Sequence, residues 1–191
     1  MTTYRKIHGR SIQSVTTDPS ESVTEGQIWY NSNSDTFKSV LINSAWASSS
    51  PISTARYSTS GAGTQTAGLI AGGNIGPSDT RTTAVEEYNG SGFSTGGALP
   101  TATRSGGSAG TQTASFYAGG YTTTNVTSAY TYDGSSWTSI PSLGTARSYI
   151  AGFGTSASAF AAGGYNGSNT GAEEEFTEET TAANIADFTT S

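Results

Sequence analysis

Residues 58–73 read STSGAGTQTAGLIAGG, and the chain beyond residue 45 is organised as copies of this stretch. It returns at 106–120 as GGSAGTQTASFYAGG and at 151–164 as AGFGTSASAFAAGG. Each copy holds a Gly-Thr pair, a short polar turn, a run of small and apolar residues and a Gly-Gly doublet. The doublets Gly72-Gly73, Gly119-Gly120 and Gly163-Gly164 stand 47 and then 44 residues apart. Trp46, Phe93 and Trp137 keep the same two spacings, and each precedes the Gly of its Gly-Thr pair by 17 residues. A period of this length marks an array of one supersecondary unit, commonly a propeller blade.

Composition narrows the class. Of 191 residues, 33% are hydrophobic, 12% charged and 10% aromatic, with 25 glycines. Disordered chains combine high charge with few aromatics; this balance instead favours a β-rich fold with small side chains and tight turns. The net charge of -6 argues against nucleic acid, which needs clustered Lys and Arg. There is no cysteine, hence no disulfide, thiolate metal site or Cys nucleophile. No apolar run approaches the roughly 20 residues that span a bilayer, and MTTYRKIHGR lacks a signal peptide's apolar core. The expectation is a chain made in a cytoplasm that stays there, or leaves in a particle or by lysis.

The expected organisation is an N-terminal arm and β-hairpin (1–45) followed by repeats at 46–92, 93–136 and 137–191. The arm carries Tyr4, Arg5, Lys6 and Arg10 beside the single histidine, His8, and reads as a connector rather than packed core. QIWYN and TFKSVLI, within 27–42, read as two strands around an Asn/Ser/Asp loop. Trp29 and Tyr30 then face opposite ways, so one needs cover from outside the hairpin, on the repeats or on a partner chain. Tyr4, Arg5, Lys6, Arg10, Trp29 and Tyr30 are the expected attachment residues. Within a repeat four strands are predicted: 57–63, 67–71, 83–88 and 93–97 in the first copy, with 116–118, 129–132 and a strand opening at Trp137 in the second. Asn89-Gly90 and Asp133-Gly134 are turn dipeptides that tolerate positive φ. Four strands in about 45 residues make one propeller blade.

An apolar strand ending in Gly-Gly, then Glu-x-Tyr or Tyr-Asp, an aromatic and a Thr-Ala-Arg turn resembles the kelch repeat. The pieces are LIAGG, VEEYNG and Phe93; then FYAGG, YTYDG and Trp137; then Thr145-Ala146-Arg147. More specifically, YRKIHGRSIQSV, EGQIWYNSNSDTFKS and the GTQTA units resemble virion proteins of marine tailed phages over essentially the whole chain. The second copy departs from this pattern with Thr103 at the Arg position and Arg104 one place later. The third has GTSAS for GTQTA and Phe176 for the Tyr.

The resemblance implies a tail fibre, appendage or decoration protein of the virion. Its implied partners are other virion proteins and further copies of itself, with host-surface glycan at the displayed part. A purely architectural capsid or tail protein and a cellular kelch-type interaction module are the alternatives. No cofactor, nucleic acid or membrane insertion is expected, and no enzyme. Kelch copper oxidases need several histidines and a Cys-modified Tyr, and a lone His8 in the arm makes no triad. Glu173-Glu174-Glu175 lack the spaced pattern of a calcium loop.

Trp46, Arg56, Gly72, Gly73, Phe93, Gly119, Gly120, Trp137, Arg147, Gly163 and Gly164 read as repeat-structural. Arg56 and Arg147 are expected to tie loops to carbonyls or to a glutamate such as Glu87. Tyr121, Asn125, Tyr165 and Asn166, in Thr- and Asn-rich loops after the doublets, are the candidate surface contacts. Propellers close with typically four to eight blades, so three copies leave closure open. A fourth blade from 27–42 with 184–190, closure between subunits, and an open array covered by neighbours are the options, with an assembly favoured.

Overall fold

The computed structural model describes residues 12–19, 27–40 and 45–179. These residues form sixteen strands, and the chain divides into two compact units, Met1–Ser48 and Ser49–Ser191.

In the first unit the hairpin pairs β2 (Ile28–Asn31) with β3 (Thr36–Ser39), as the sequence predicts. The stretch read as an unpacked arm departs from expectation. β1 (Gln13–Val15) adds to β2 in parallel, Gln13 opposite Trp29. Asp18 then gathers the sheet: its Oδ1 accepts from Trp29 Nε1 at 3.0 Å and Asn31 Nδ2 at 2.7 Å, and its Oδ2 from Lys38 Nζ at 2.5 Å. Trp29 is buried, and Tyr30 lies over Phe37 with ring centres 5.1 Å apart. The hairpin's missing cover is therefore its own flanking chain. Tyr4, Arg5, Lys6 and Arg10 lie outside the described residues, as does the 184–190 segment.

The second unit holds three meandering sheets in sequence order. The first is β4 (Ser60–Thr64), β5 (Ala67–Ala71), β8 (Val85–Tyr88) and β9 (Phe93–Thr95). A small ribbon, β6 (Asn74–Ile75) with β7 (Thr80–Arg81), interrupts it. The second is β10 (Gly107–Thr111), β11 (Ala114–Ala118), β12 (Ala129–Tyr132) and β13 (Trp137–Ile140); the third is β14 (Ala151–Gly154), β15 (Ser158–Ala162) and β16 (Glu173–Thr177). The opening strand β10 lies against β4 on one side and β14 on the other. Positive φ at Gly90 (91°) and Gly134 (94°) turns the last two strands of the four-stranded sheets. Asn89 Oδ1 caps the first of these loops, accepting from the Ser91 and Gly92 amides, and Asp133 Oδ1 does the same for Ser135 and Ser136.

Trp46 departs from the setting of the other two aromatics. Phe93 and Trp137 open the last strand of a sheet, pairing with Tyr88 and Tyr132. Trp46, at the same place in the period, opens no strand and is fully exposed. The aromatic beat therefore marks the end of one sheet rather than the start of a repeat, and the sheets begin at Ser60, Gly107 and Ala151.

The core lies between successive sheets, because strand alternation gives each sheet two faces. Leu69, Ala71, Val85 and Leu99 from the first sheet and its exit loop meet Tyr117, Tyr130, Tyr132 and Trp137 of the second. Ala109, Phe116, Ala118, Ala129, Ile140 and Leu143 then meet Ala159 and Phe176 of the third. At the first joint the Tyr132 hydroxyl donates to Glu87 Oε1 at 2.6 Å and accepts from the Gly97 amide at 3.1 Å. Trp137 Nε1 donates to the Gly97 carbonyl, and Gln112 Nε2 reaches the Gly68 and Tyr88 carbonyls.

The arginines of the Thr-Ala-Arg turns are buried and structural, with a different glutamate from the one expected. Arg56 Nη2 lies 3.0 Å from Glu86 Oε1, and Glu86 Oε2 accepts from the Ser53 amide. Arg147 Nη2 donates to the Ala161 carbonyl at 3.1 Å and lies 3.3 Å from Glu174, whose other oxygen accepts from the Gly144 amide. The second copy replaces the whole set. Pro100, with no N–H, stands for Ser53 and Gly144; Thr103 for the Arg; Tyr130 for the Glu; and Tyr117 for Ile70 and Ala161. The fully buried Tyr117 hydroxyl accepts from the Gly106 amide, and burial pushes its pKa up to about 12. An ion pair has thus been exchanged for a hydroxyl that fills the same space, since a buried charge without its partner is costly.

Candidate functional site

The three Gly-Gly doublets leave their strands in the same way. φ is +63° and +107° at Gly72 and Gly73, +64° and +104° at Gly119 and Gly120, and +64° and +111° at Gly163 and Gly164. Such angles favour glycine, and they turn the chain onto the segment entering the same sheet. Tyr57 bridges Asn74, Arg104 bridges Tyr121 and Ser148 bridges Tyr165. Directly after each bridge a non-glycine residue takes a left-handed conformation: Ser58, Ser105 and Tyr149, at φ 55°, 58° and 56°. These three form a ladder, the Ser105 amide donating to the Ser58 carbonyl and the Tyr149 amide to the Ser105 carbonyl. Strained backbone held at one repeated position is a feature of functional surfaces.

Arg104 organises this end of the unit. Its Nη1 donates to the Tyr149 hydroxyl at 3.1 Å, its Nε lies 3.1 Å from Asp79 Oδ1, and its guanidinium sits 4.7 Å above the Tyr121 ring. Arg81 flanks the same ring and pairs with Asp79 Oδ2 at 3.0 Å. Asn74 donates from one amide nitrogen to Asp79 and to the Tyr57 hydroxyl. That donation, with Arg104 and Arg81, holds the Asp79 carboxyl below the usual carboxylate range. Tyr57, Tyr149 and Tyr165 are exposed, and an open concavity lies between Tyr149 and Tyr165, lined also by Gly164 and Asn169.

The sequence-predicted contacts fall on this surface in different roles. Tyr165 is exposed. Tyr121 is half-buried beneath Arg104 rather than free in a loop tip. Asn125 Nδ2 donates to the Tyr165 carbonyl at 2.9 Å and joins two of the loops, whereas Asn166 Oδ1 accepts from Ser168 within its own turn. Arg81, Asp79 and Tyr149 carry no contact reading from sequence; Tyr57 and Arg104 do, as a stacking ring and an offset repeat arginine, but read first as repeat packing. The signal for Arg104 was the one-place slip after Thr103, which moves a guanidinium from the buried position to the loop end.

The surface joins aromatic faces to planar, charge-paired hydrogen-bonding groups, an arrangement suited to hydroxyl-rich ligands. Among the described residues no group of three His, Cys, Asp or Glu could hold a metal, and no helix is long and apolar enough to cross a membrane. Glu173 and Glu175 lie exposed on the opposite face from Glu174, which is engaged with Arg147. Neither a protein-family model nor a curated protein matches the chain.

Proposed function

We propose that the chain is a structural protein of a tailed-phage virion. In this reading the three sheets are kelch-like propeller blades displayed on a tail fibre or appendage, without enzymatic activity. The Met1–Ser48 unit attaches it to other virion proteins, and the loop end of the blades contacts glycan on the host surface. The observation that carries the contact role is the Arg104-centred row of Tyr57, Tyr121, Tyr149 and Tyr165. Aromatic rings stacked or bridged by guanidinium groups give a sugar both an apolar face and fixed donors. The GTQTA, GQIWYN and YRKIHGR resemblances support the virion assignment.

Peptide mass spectrometry and antibody-gold microscopy of purified particles test location; a chain absent from particles refutes the virion reading. A glycan array with the full chain tests the contact role. Tyr165→Ala and Arg104→Ala should each abolish a signal that the intact chain gives. A chain found on particles that binds no glycan belongs to the architectural class instead.

A further inference from the structure

We infer that a second copy of this chain closes on the first, head to tail, with the free face of one copy's third sheet meeting the free face of the other's first sheet. The inference rests on reading the sheets as blades. Its basis is the two joints already present within the chain.

Three positions distinguish those joints. At the first joint an outgoing glutamate, Glu87, accepts from an incoming tyrosine, Tyr132, and the incoming GTQTA turn supplies Gln112 to the carbonyls of the sheet before it. At the second joint the corresponding residues are Thr131, Phe176 and Ser156, so glutamate, tyrosine hydroxyl and glutamine are absent together. The free faces carry the first pattern in full. The outgoing face of the third sheet has Glu175 at the Glu87 position, opposite Phe160 in the strand register. The incoming face of the first sheet has Tyr88 at the Tyr132 position and Gln65 at the Gln112 position. Tyr132 is buried in its joint; Tyr88 is half-buried with its hydroxyl 2.6 Å from Ser49 Oγ, an exposed bond that Glu175 of a second copy would displace, and Gln65 is exposed.

Shape agrees. The third sheet presents Phe153, 56% exposed, beside Phe160. The first sheet presents an open concavity lined by Gly61, Gly63, Gly68, Ile70, Tyr88 and Phe93. The outgoing face carries the carboxylates of Glu173 and Glu175. Arg56 of the first sheet is already buried against Glu86 and presents no charge to that face. The ladder of left-handed residues also stops short: among the described residues the Ser58 amide and the Tyr149 carbonyl, its two ends, carry no backbone bond of the kind that links Ser58, Ser105 and Tyr149. Two copies joined this way satisfy both ends twice, leave no exposed face and give six sheets, within the four to eight at which propellers close.

The test is light scattering on the full chain at several concentrations, with circular dichroism as the folding check. The expected mass is twice the 19.5 kDa of one chain. Tyr88→Phe alone should weaken the dimer about a hundredfold, about tenfold for each of its two joints. Tyr88→Phe with Glu175→Thr, which copies the second joint, should recover most of that loss. Phe153→Arg and Tyr88→Arg should each give folded monomers. Mixed together they should form dimers, because one joint in the mixed ring then pairs two unaltered faces. Wild-type chain at 19.5 kDa throughout, whether its faces are capped by its own N-terminal unit or by the residues after 179, overturns the inference. So does a mixture that stays monomeric. Either result leaves the virion reading standing if the chain is found on particles, whereas a dimeric chain absent from particles refutes that reading alone.

Discussion

Replacing Arg147 with methionine tests whether the buried guanidinium of the third sheet holds it to the second. The side chain has no exposure, donates one bond to the Ala161 carbonyl and lies 3.3 Å from Glu174. Removing one partner of a fully buried pair costs about 3–5 kcal/mol. Two features reduce this here. Glu174 keeps 29% of its surface and the Gly144 amide, so it is not stranded. Arg147 Nε and Nη1 have no partner among the described residues, so a methionine of similar length also relieves two unpaired donors. The expected loss is about 1–3 kcal/mol. At about 2–4 °C per kcal/mol for a domain of this size, the melting temperature falls by about 4–8 °C at the midpoint of that range. The assay is thermal and urea unfolding followed by circular dichroism, with Arg147→Met/Glu174→Gln alongside. The double variant should recover more than half of the loss, since the amide keeps an acceptor for Gly144 and carries no charge. A single variant as stable as the parent, or a double variant no better than the single, refutes the ion pair as a stabilising contact.

Three further outcomes are expected. Tyr132→Phe should cost about 1–2 kcal/mol in urea unfolding by leaving Glu87 and the Gly97 amide unpaired, and adding Glu87→Thr, the Thr131/Phe176 combination, should restore much of it. Gly119→Ala should cost about 2–4 kcal/mol. The added carbon would sit 2.4 Å from Ile150 Cδ1 and 2.8 Å from the Arg147 carbonyl at φ +64°, whereas Gly171→Ala, with open space, should be neutral by the same assay. Hydrogen bonds from Lys38, then Asn31 and Trp29, lower the Asp18 pKa to about 2. Its contribution is therefore complete above the unfolded value of about 3.9 and is lost as pH falls toward about 2. Trp29 fluorescence in an acid titration should change across that window, and Asp18→Asn should remove the transition.

The sequence by itself determined the periodic part of the protein. Strand positions such as 67–71 and 129–132, the turn glycines Gly90 and Gly134 and the doublets follow from local backbone geometry. Glycines at those positions supply the positive φ that the turns need, and alternating small apolar residues suit paired strands. The hairpin at 27–42 was legible for the same reason. Tertiary structure decided what each repeated position is for. Trp46 has the spacing of Phe93 and Trp137 but opens no strand among the described residues and is exposed, so period alone does not give the three aromatics one setting. Val15 and Asp18 joined the N-terminal sheet because pairing and hydrogen bonding can recruit polar chain that composition reads as a tether. Which glutamate meets Arg56 depends on which face of β8 is turned toward the entering loop, and that is set by how two sheets stack. The Arg104 surface arises similarly: residues from separate loops converge only once the sheets lie side by side, and no linear spacing encodes that meeting.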